Sequence, residues 1–307
     1  MSGALRAEVE PIGPGDVREV ATFLHENTRE ALPVEEWERT ISPSWTQGAP
    51  NHGYLLRSAG QVVGIYLAYY STRSVDGRDV SVCNLATWVV HADHRIASLR
   101  LLRALLAQDH DVFTDVSPSP KVVRINERVG FESLSQVGQR VLNVPRVPLR
   151  RSTRIVTRPT EIESLLTGAV LQQYRDHREI DRLEHLVVVA DGKPCYVVYR
   201  TYPDLALGRV MVALRQRGVV AILHVSDREV FRRAGPRVFS HFLFRNGRLF
   251  TLVEERVAGF RPRLSKPAGI TLDRMYRSEG FPAEAIDYLY SELMFIERTV
   301  GSPESNG

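Results

Sequence analysis

Trp88-Val89-Val90-His91-Ala92-Asp93-His94-Arg95-Ile96-Ala97-Ser98-Leu99-Arg100-Leu101-Leu102 is the stretch on which the reading turns. The apolar run Val80 to Val90 predicts a strand, His91 to Ala97 a tight loop, and Ser98 to Gln108 a helix. A strand that passes directly into a helix presents the helix's first N–H groups without intrahelical partners. Those donors, together with the helix dipole, favour an anion such as a pyrophosphate. Ala97 and Ser98 are small enough to let phosphates approach the backbone, although Ser98 could equally serve only as an N-cap. Strand–loop–helix units are common, so this one does not settle function by itself.

Upstream, the chain reads as a short strand at Ala7 to Ile12 and a helix at Val17 to Asn27, with Asp16 as its expected N-cap. A second helix follows at Val34 to Ile41, then a hairpin of Tyr54 to Arg57 and Val62 to Tyr70 around Ser58-Ala59-Gly60. Downstream come a strand at Val112 to Val116 and a helix at Pro120 to Arg128, closed by Gly130. Asn143 to Arg154, with its prolines and arginines, reads as a linker, which places the domains at 1–146 and 147–307.

The second half repeats this order. Leu186 to Ala190, the turn Asp191-Gly192 and Cys195 to Tyr202 match the first hairpin, with Gly60 on Gly192. In a second register, Arg95 to Arg100 lie on Arg232 to Arg237, and Phe113-Thr114 on Phe250-Thr251, without gaps. On that register Ala234-Gly235-Pro236 would form the second half's loop, with Pro236 removing one donor. The closing segment Ile286 to Phe295 carries Ile286, Leu289, Tyr290 and Leu293 at helical spacing, an expected core-packing face. Tyr288 and Glu292 on it are open to a substrate-lining role.

Composition narrows the function classes. With 307 residues, 43% hydrophobic and 25% charged, the chain is long enough for two cores. A net charge of +4, spread over both halves without a basic stripe, argues against a nucleic-acid partner. Cys83 and Cys195 each lie in an apolar run and read as buried thiols, and no metal-ligand spacing accompanies them. No apolar stretch approaches a membrane span and Met1 to Glu8 lack a signal-peptide core, so no membrane partner and a cytoplasmic location are expected.

On these residues the first half resembles the GNAT-type N-acyltransferase superfamily. Arg95 matches the opening residue of that family's Arg-x-x-Gly-x-Gly/Ala loop, and Ser98 and Arg100 fall on its glycine positions. Asn126-Glu127-Arg128-Val129-Gly130-Phe131 resembles the family's later helix, which ends in Gly-Phe. The resemblance implies an α/β (α+β) chain of two GNAT-like mixed-sheet domains flanked by helices. The second, which matches only in outline, would be structural or acceptor-shaping.

It also implies an acyl-CoA cosubstrate, acetyl-CoA or another, bound by Trp88, Val89, Val90, Arg95, Ile96, Ala97, Ser98, Leu99, Arg100 and Asn126. The acyl acceptor would be an amine of a small molecule or a peptide. Attack on the thioester needs a deprotonated amine and a donor for the oxyanion. Asp115 and Glu30 are the carboxylates available for the first need, and backbone N–H groups near Val89 and Val90 would serve the second. Each carboxylate could instead be structural, and His91 and His94 could relay protons or simply be exposed. The family often has a tyrosine as general acid where this chain has Asn126, which carries no transferable proton at neutral pH. Arg100 could add a phosphate contact or block the loop. A non-catalytic GNAT-like scaffold or CoA-binding module is therefore the alternative. The oligomeric state has no signal in the sequence.

Overall fold

The computed structural model describes residues 7–28, 32–46, 48–75, 77–134, 137–146, 153–202, 218–268 and 273–296. The chain forms two compact units, Met1–Leu134 with Asp273–Ala285 and Tyr290–Ile296, and Ser135–Leu272 with Ile286–Leu289 and Glu297–Gly307. Each is built on one mixed seven-stranded sheet with helices, an α/β (α+β) architecture.

The first unit runs β1 (Glu8–Pro11), α1 (Val17–Asn27), α2 (Val34–Ile41), β2 (Gly53–Ser58), β3 (Gln61–Val75), β4 (Arg78–Val90), α3 (Ser98–Leu106), β5 (Val112–Asp115), α4 (Pro120–Arg128) and β6 (Glu132–Ser133). Alternation along β3, shifted by one residue at the bulge opposite Leu56 and Arg57, divides its side chains between two cores. Val62, Ile65 and Leu67 join Val20, Leu24 and Trp37 of the first two helices. Tyr66, Ala68 and Tyr70 join Leu101, Leu102 and Leu105 of α3. A helix stripe is matched to each sheet face, and burial of these side chains is the main stabilising term for the unit.

The second unit comprises β7 (Gly138–Leu142), β8 (Thr153–Val156), α5 (Pro159–Leu165), α6 (Gly168–His177), β9 (Glu184–Ala190), β10 (Lys193–Tyr202), β11 (Val219–Val225), α7 (Arg228–Asn246), β12 (Phe250–Glu254), α8 (Glu255–Ala258) and β13 (Ser265–Pro267). A last strand, β14 (Met275–Ser278), belongs to the first sheet. The sheet orders are β1-β2-β3-β4-β5-β14-β6 and β13-β7-β12-β11-β10-β9-β8. Thus β7, which the sequence reading put in the first half, pairs antiparallel with β12, and β14 from the second half pairs with β5. The expected linker begins as ordered structure: Asn143 donates to the Arg248 carbonyl and accepts from the Thr251 hydroxyl.

The repeat is visible in the backbone. Ala59-Gly60 and Asp191-Gly192 carry φ of 50° and 79°, and 51° and 77°. These are the left-handed pairs of tight hairpin turns, for which glycine is the cheapest second residue. The second register fails at the loop. Ala234, Gly235 and Pro236 lie inside α7, and β11 is joined to that helix by Ser226 and Asp227 alone. The connection is shorter than in the first unit, so an ungapped match overshoots it. The closing segment also departs from its helical spacing. Tyr290 has a φ of 60°, and only Glu292–Met294 form a single 3-10 turn, although Ile286, Leu289, Tyr290 and Leu293 are buried as expected. Among the described residues no helix is long and apolar enough to cross a membrane.

Candidate active site in the first unit

The site begins with a strand that leaves its neighbour. β4 and β5 pair in parallel only from Val82↔Val112 to Leu85↔Asp115, whereas β4 continues to Val90 against β3. Between these points Tyr66 pairs with Trp88 and Ala68 with Leu85, so β4 carries one residue more than β3 across the step. Such a bulge bends a strand and locally ends its pairing. Among the described residues no strand therefore lies beside one edge of β4 from Ala86 to Val90. Gly64 makes room on the other side, since a Cβ there would meet the Val90 side chain at 2.9 Å.

The loop then closes on itself. The amides of His94, Ala97, Ser98 and Arg100 donate to the carbonyls of His91, His94, Arg95 and Ala97, and the Ser98 hydroxyl bonds the Arg95 carbonyl at 2.6 Å. The expected fan of free donors is thus reduced: between His94 and Arg100 the amides of Arg95, Ala97 and Ser98 are already spent on carbonyls of the same turn, and, among the described residues, those of Ile96 and Leu99 are not. No side chain caps α3. Arg95 is exposed, Ile96 is 95% exposed and Leu99 42%, while Ala97 and Ser98 are half-buried. The Arg100 guanidinium is tied back to the Ala7 carbonyl at the start of β1. His91 is exposed, with its ring against Phe23 and its Nε2 3.2 Å from the Asn27 side-chain oxygen.

At the end of β5 lies a buried polar cluster. Asn126, on α4, donates its side-chain amide to Asp115 Oδ2 at 2.9 Å, and both residues are buried. Tyr66 is fully buried and stacks on Trp88, centroids 4.4 Å apart and planes 7° apart. Burial, then the charges of Asp115 and Glu292 and the hydrogen bond to Asp115, push the Tyr66 pKa well above the ordinary phenol value. Just beyond β5, the Ser117 hydroxyl bonds the Glu292 carboxylate, and the Arg274 guanidinium donates to the Val116 carbonyl.

Of the residues expected from sequence, Asp115, Asn126 and Trp88 meet around Tyr66, whereas Arg95 to Arg100 form the separate turn that follows β4. Glu30 lies outside the described residues. Val89 packs towards the α1 face and Val90 towards the α3 face. Tyr66, Ser117 and Arg274 had not been singled out. The one sequence signal for Tyr66 is the period of two from Ile65 to Tyr70, which sets it with Ala68 and Tyr70 on the α3 face.

The second unit has the same bulge and a shorter parallel ladder. Val198 pairs with His224 and Tyr199 with Ile222, and β11 meets β12 only at Val220↔Thr251 and Ala221↔Leu252. Its helix start is different. Asp227 is a true N-cap whose carboxylate accepts from the Val230 amide at 2.8 Å.

No protein-family model and no curated protein sequence matches the chain. Solved structures do match its fold. A GCN5-related N-acetyltransferase from Anabaena variabilis is similar with a TM-score of 0.59 at 11% identity, over 89% of this chain and 72% of that one. Another from Kribbella flavida gives 0.59 at 14%, over 92% and 74%. Eis1 from Mycobacterium abscessus gives 0.54 at 17%, over 88% and 73%. The chain therefore has the two-sheet GNAT-like fold.

Proposed function

We propose that the chain is an acyl-CoA-dependent N-acyltransferase whose first unit binds the acyl-CoA, with an amine of a small molecule or peptide as acceptor. The observation that supports this most directly is the parting of β4 from β5 after Leu85 and Asp115, followed by the turn into α3. The strand edge Ala86 to Val90 offers backbone groups to the amides of a pantetheine arm, and the uncapped start of α3, beside Arg95, offers donors to a diphosphate. Asp115 is the base in this reading. Buried beside the parted strands, it takes the proton of the attacking amine, while a backbone N–H of β4 holds the oxyanion. The second unit, with Asp227 on its helix start, serves as structure or shapes the acceptor side.

Calorimetric titration with acetyl-CoA tests the reading, coupled to thiol release across a panel of glucosamine, spermidine and a lysine-containing peptide. Saturable binding is expected, and Arg95→Ala should weaken it by about 1 kcal/mol, roughly five-fold, as for an exposed charge on phosphate. Absence of binding at millimolar acetyl-CoA would refute it. The rival reading, a CoA-binding module without chemistry, is favoured by the inward-turned amides of Ala97 and Ser98 and by Asn126 where a proton donor is wanted. Binding without thiol release on any of the amines selects it.

A further inference from the structure

The acyl-transfer reading leaves one requirement unmet. When the C–S bond breaks, the electron pair goes to sulfur, and the thiolate needs a proton. Asn126 cannot supply one, and its amide is committed to Asp115. The Tyr66 hydroxyl is the group next to Asp115 that can. Tyr66 is fully buried, and its hydroxyl lies beside the Asp115 carboxylate, which is placed to accept from it. A buried hydroxyl paired with a carboxylate is satisfied, and the same contact is a path for a proton. Its ring is fixed by stacking on Trp88, in the part of β4 that has already left β5. The hydroxyl is thus held rigidly at the parted strands, within reach of the Asp115 carboxylate.

We propose that Tyr66 is the proton donor to the leaving thiolate, and that Asp115 returns the proton to it. The inference rests on the acyl-transfer reading. The amine nitrogen attacks the thioester carbonyl carbon, forming the C–N bond. Asp115 takes the proton that this nitrogen sheds, and the C–S bond breaks. The Tyr66 O–H proton moves to sulfur, and the resulting phenolate recovers a proton from Asp115. The products are an amide and a free thiol, and both side chains end as they began. Burial and the neighbouring carboxylates Asp115 and Glu292 keep the phenol protonated at neutral pH, so it enters the cycle carrying the proton it must give.

The experiment is Tyr66→Phe, which keeps the stacked ring and removes only the hydroxyl, assayed with two thioesters. With acetyl-CoA and an accepted amine, kcat should fall by roughly a hundred-fold with KM for acetyl-CoA nearly unchanged. With phenyl thioacetate, whose more acidic thiol leaves without a proton, variant and wild type should differ by less than about three-fold. An equal loss with both thioesters marks a purely structural role and overturns the proposal, as does an unchanged kcat with acetyl-CoA. Wild-type protein that turns over no amine removes the acyl-transfer reading and the proposal together, a result distinct from an active wild type with an equally active Tyr66→Phe. Should the phenylalanine variant fail to fold, Tyr66→3-fluorotyrosine keeps the size and makes the phenol more acidic. It should raise kcat with acetyl-CoA, and an unchanged or lower kcat counts against proton donation.

Discussion

Both units send a bulged strand away from its parallel neighbour and into a helix, yet they finish the helix differently. In the first, β4 reaches α3 through His91 to Ala97, a loop of short turns that leaves the helix without a side-chain cap. In the second, β11 reaches α7 through Ser226 and Asp227, and the Asp227 carboxylate already occupies the first turn. A helix start is an anion site whichever anion fills it. The second unit supplies that anion covalently and gains a stable cap; in the proposed reading the first leaves the place to a ligand. The two units share a topology, and it is the residue at the helix start that differs between them.

The hairpins offer the largest test of how differently the two units respond. His185 on β9 is held neutral by burial, its pKa lowered to about 4, with its Nδ1 2.9 Å from the Tyr196 hydroxyl. His52, just ahead of β2, is also shifted down by burial. A histidine whose folded pKa is depressed binds more protons when unfolded. Its stabilisation is complete above about pH 6.5 and is lost as pH falls towards 4. The His185 shift corresponds to about 3 kcal/mol as an upper bound, most of it gone by about pH 4.5. Protection factors of the β9 and β10 amides, corrected for the intrinsic exchange rate at each pH, should therefore fall strongly between pH 7 and 4.5, and His185→Phe should flatten that dependence. An equal fall in the variant would place the acid sensitivity elsewhere.

The next test moves one unit's solution into the other. Ser98→Asp puts a carboxylate in the first turn of α3, one position inside the place that Asp227 takes in α7. The helix should not be weakened, since aspartate is favoured in the first turn. Acetyl-CoA affinity should drop by at least about ten-fold, because a fixed negative charge then competes for the same donors. Calorimetry on the folded variant decides it, and an unchanged affinity would show that the diphosphate does not rest there.

How much of this was legible beforehand follows from which features are local. The strand at Val80 to Val90, the helices from Val17, Val34 and Pro120, and the paired turns at Gly60 and Gly192 are set by short-range patterns that the chain carries openly. The exchange of β7 and β14 is not local. Gly138–Leu142 and Met275–Ser278 are equally good strands for either sheet, and their pairing depends on distant edges. The cluster at Asp115 divides in the same way. Asp115 and Asn126 lie eleven positions apart and were singled out together, whereas the pairing of Ser117 with Glu292 spans 175 positions and leaves no pattern. Tyr66 looked like an ordinary core residue, because a tyrosine in an alternating strand is usually one.

The smallest effect isolates the cap itself. Asp227→Ala removes the acceptor of the Val230 amide, and a lost N-cap costs about 1 kcal/mol. The loss should appear as faster exchange of the first amides of α7, with the amides of α3 unaffected. Asp227→Ser retains an oxygen in the same position but no charge, and should recover most of the protection. Neither variant should gain affinity for acetyl-CoA, since two residues between β11 and α7 leave no loop around a diphosphate. Acquired binding by Asp227→Ala would mean that the carboxylate, and not the length of the connection, is what keeps the second unit from acting as a cofactor site.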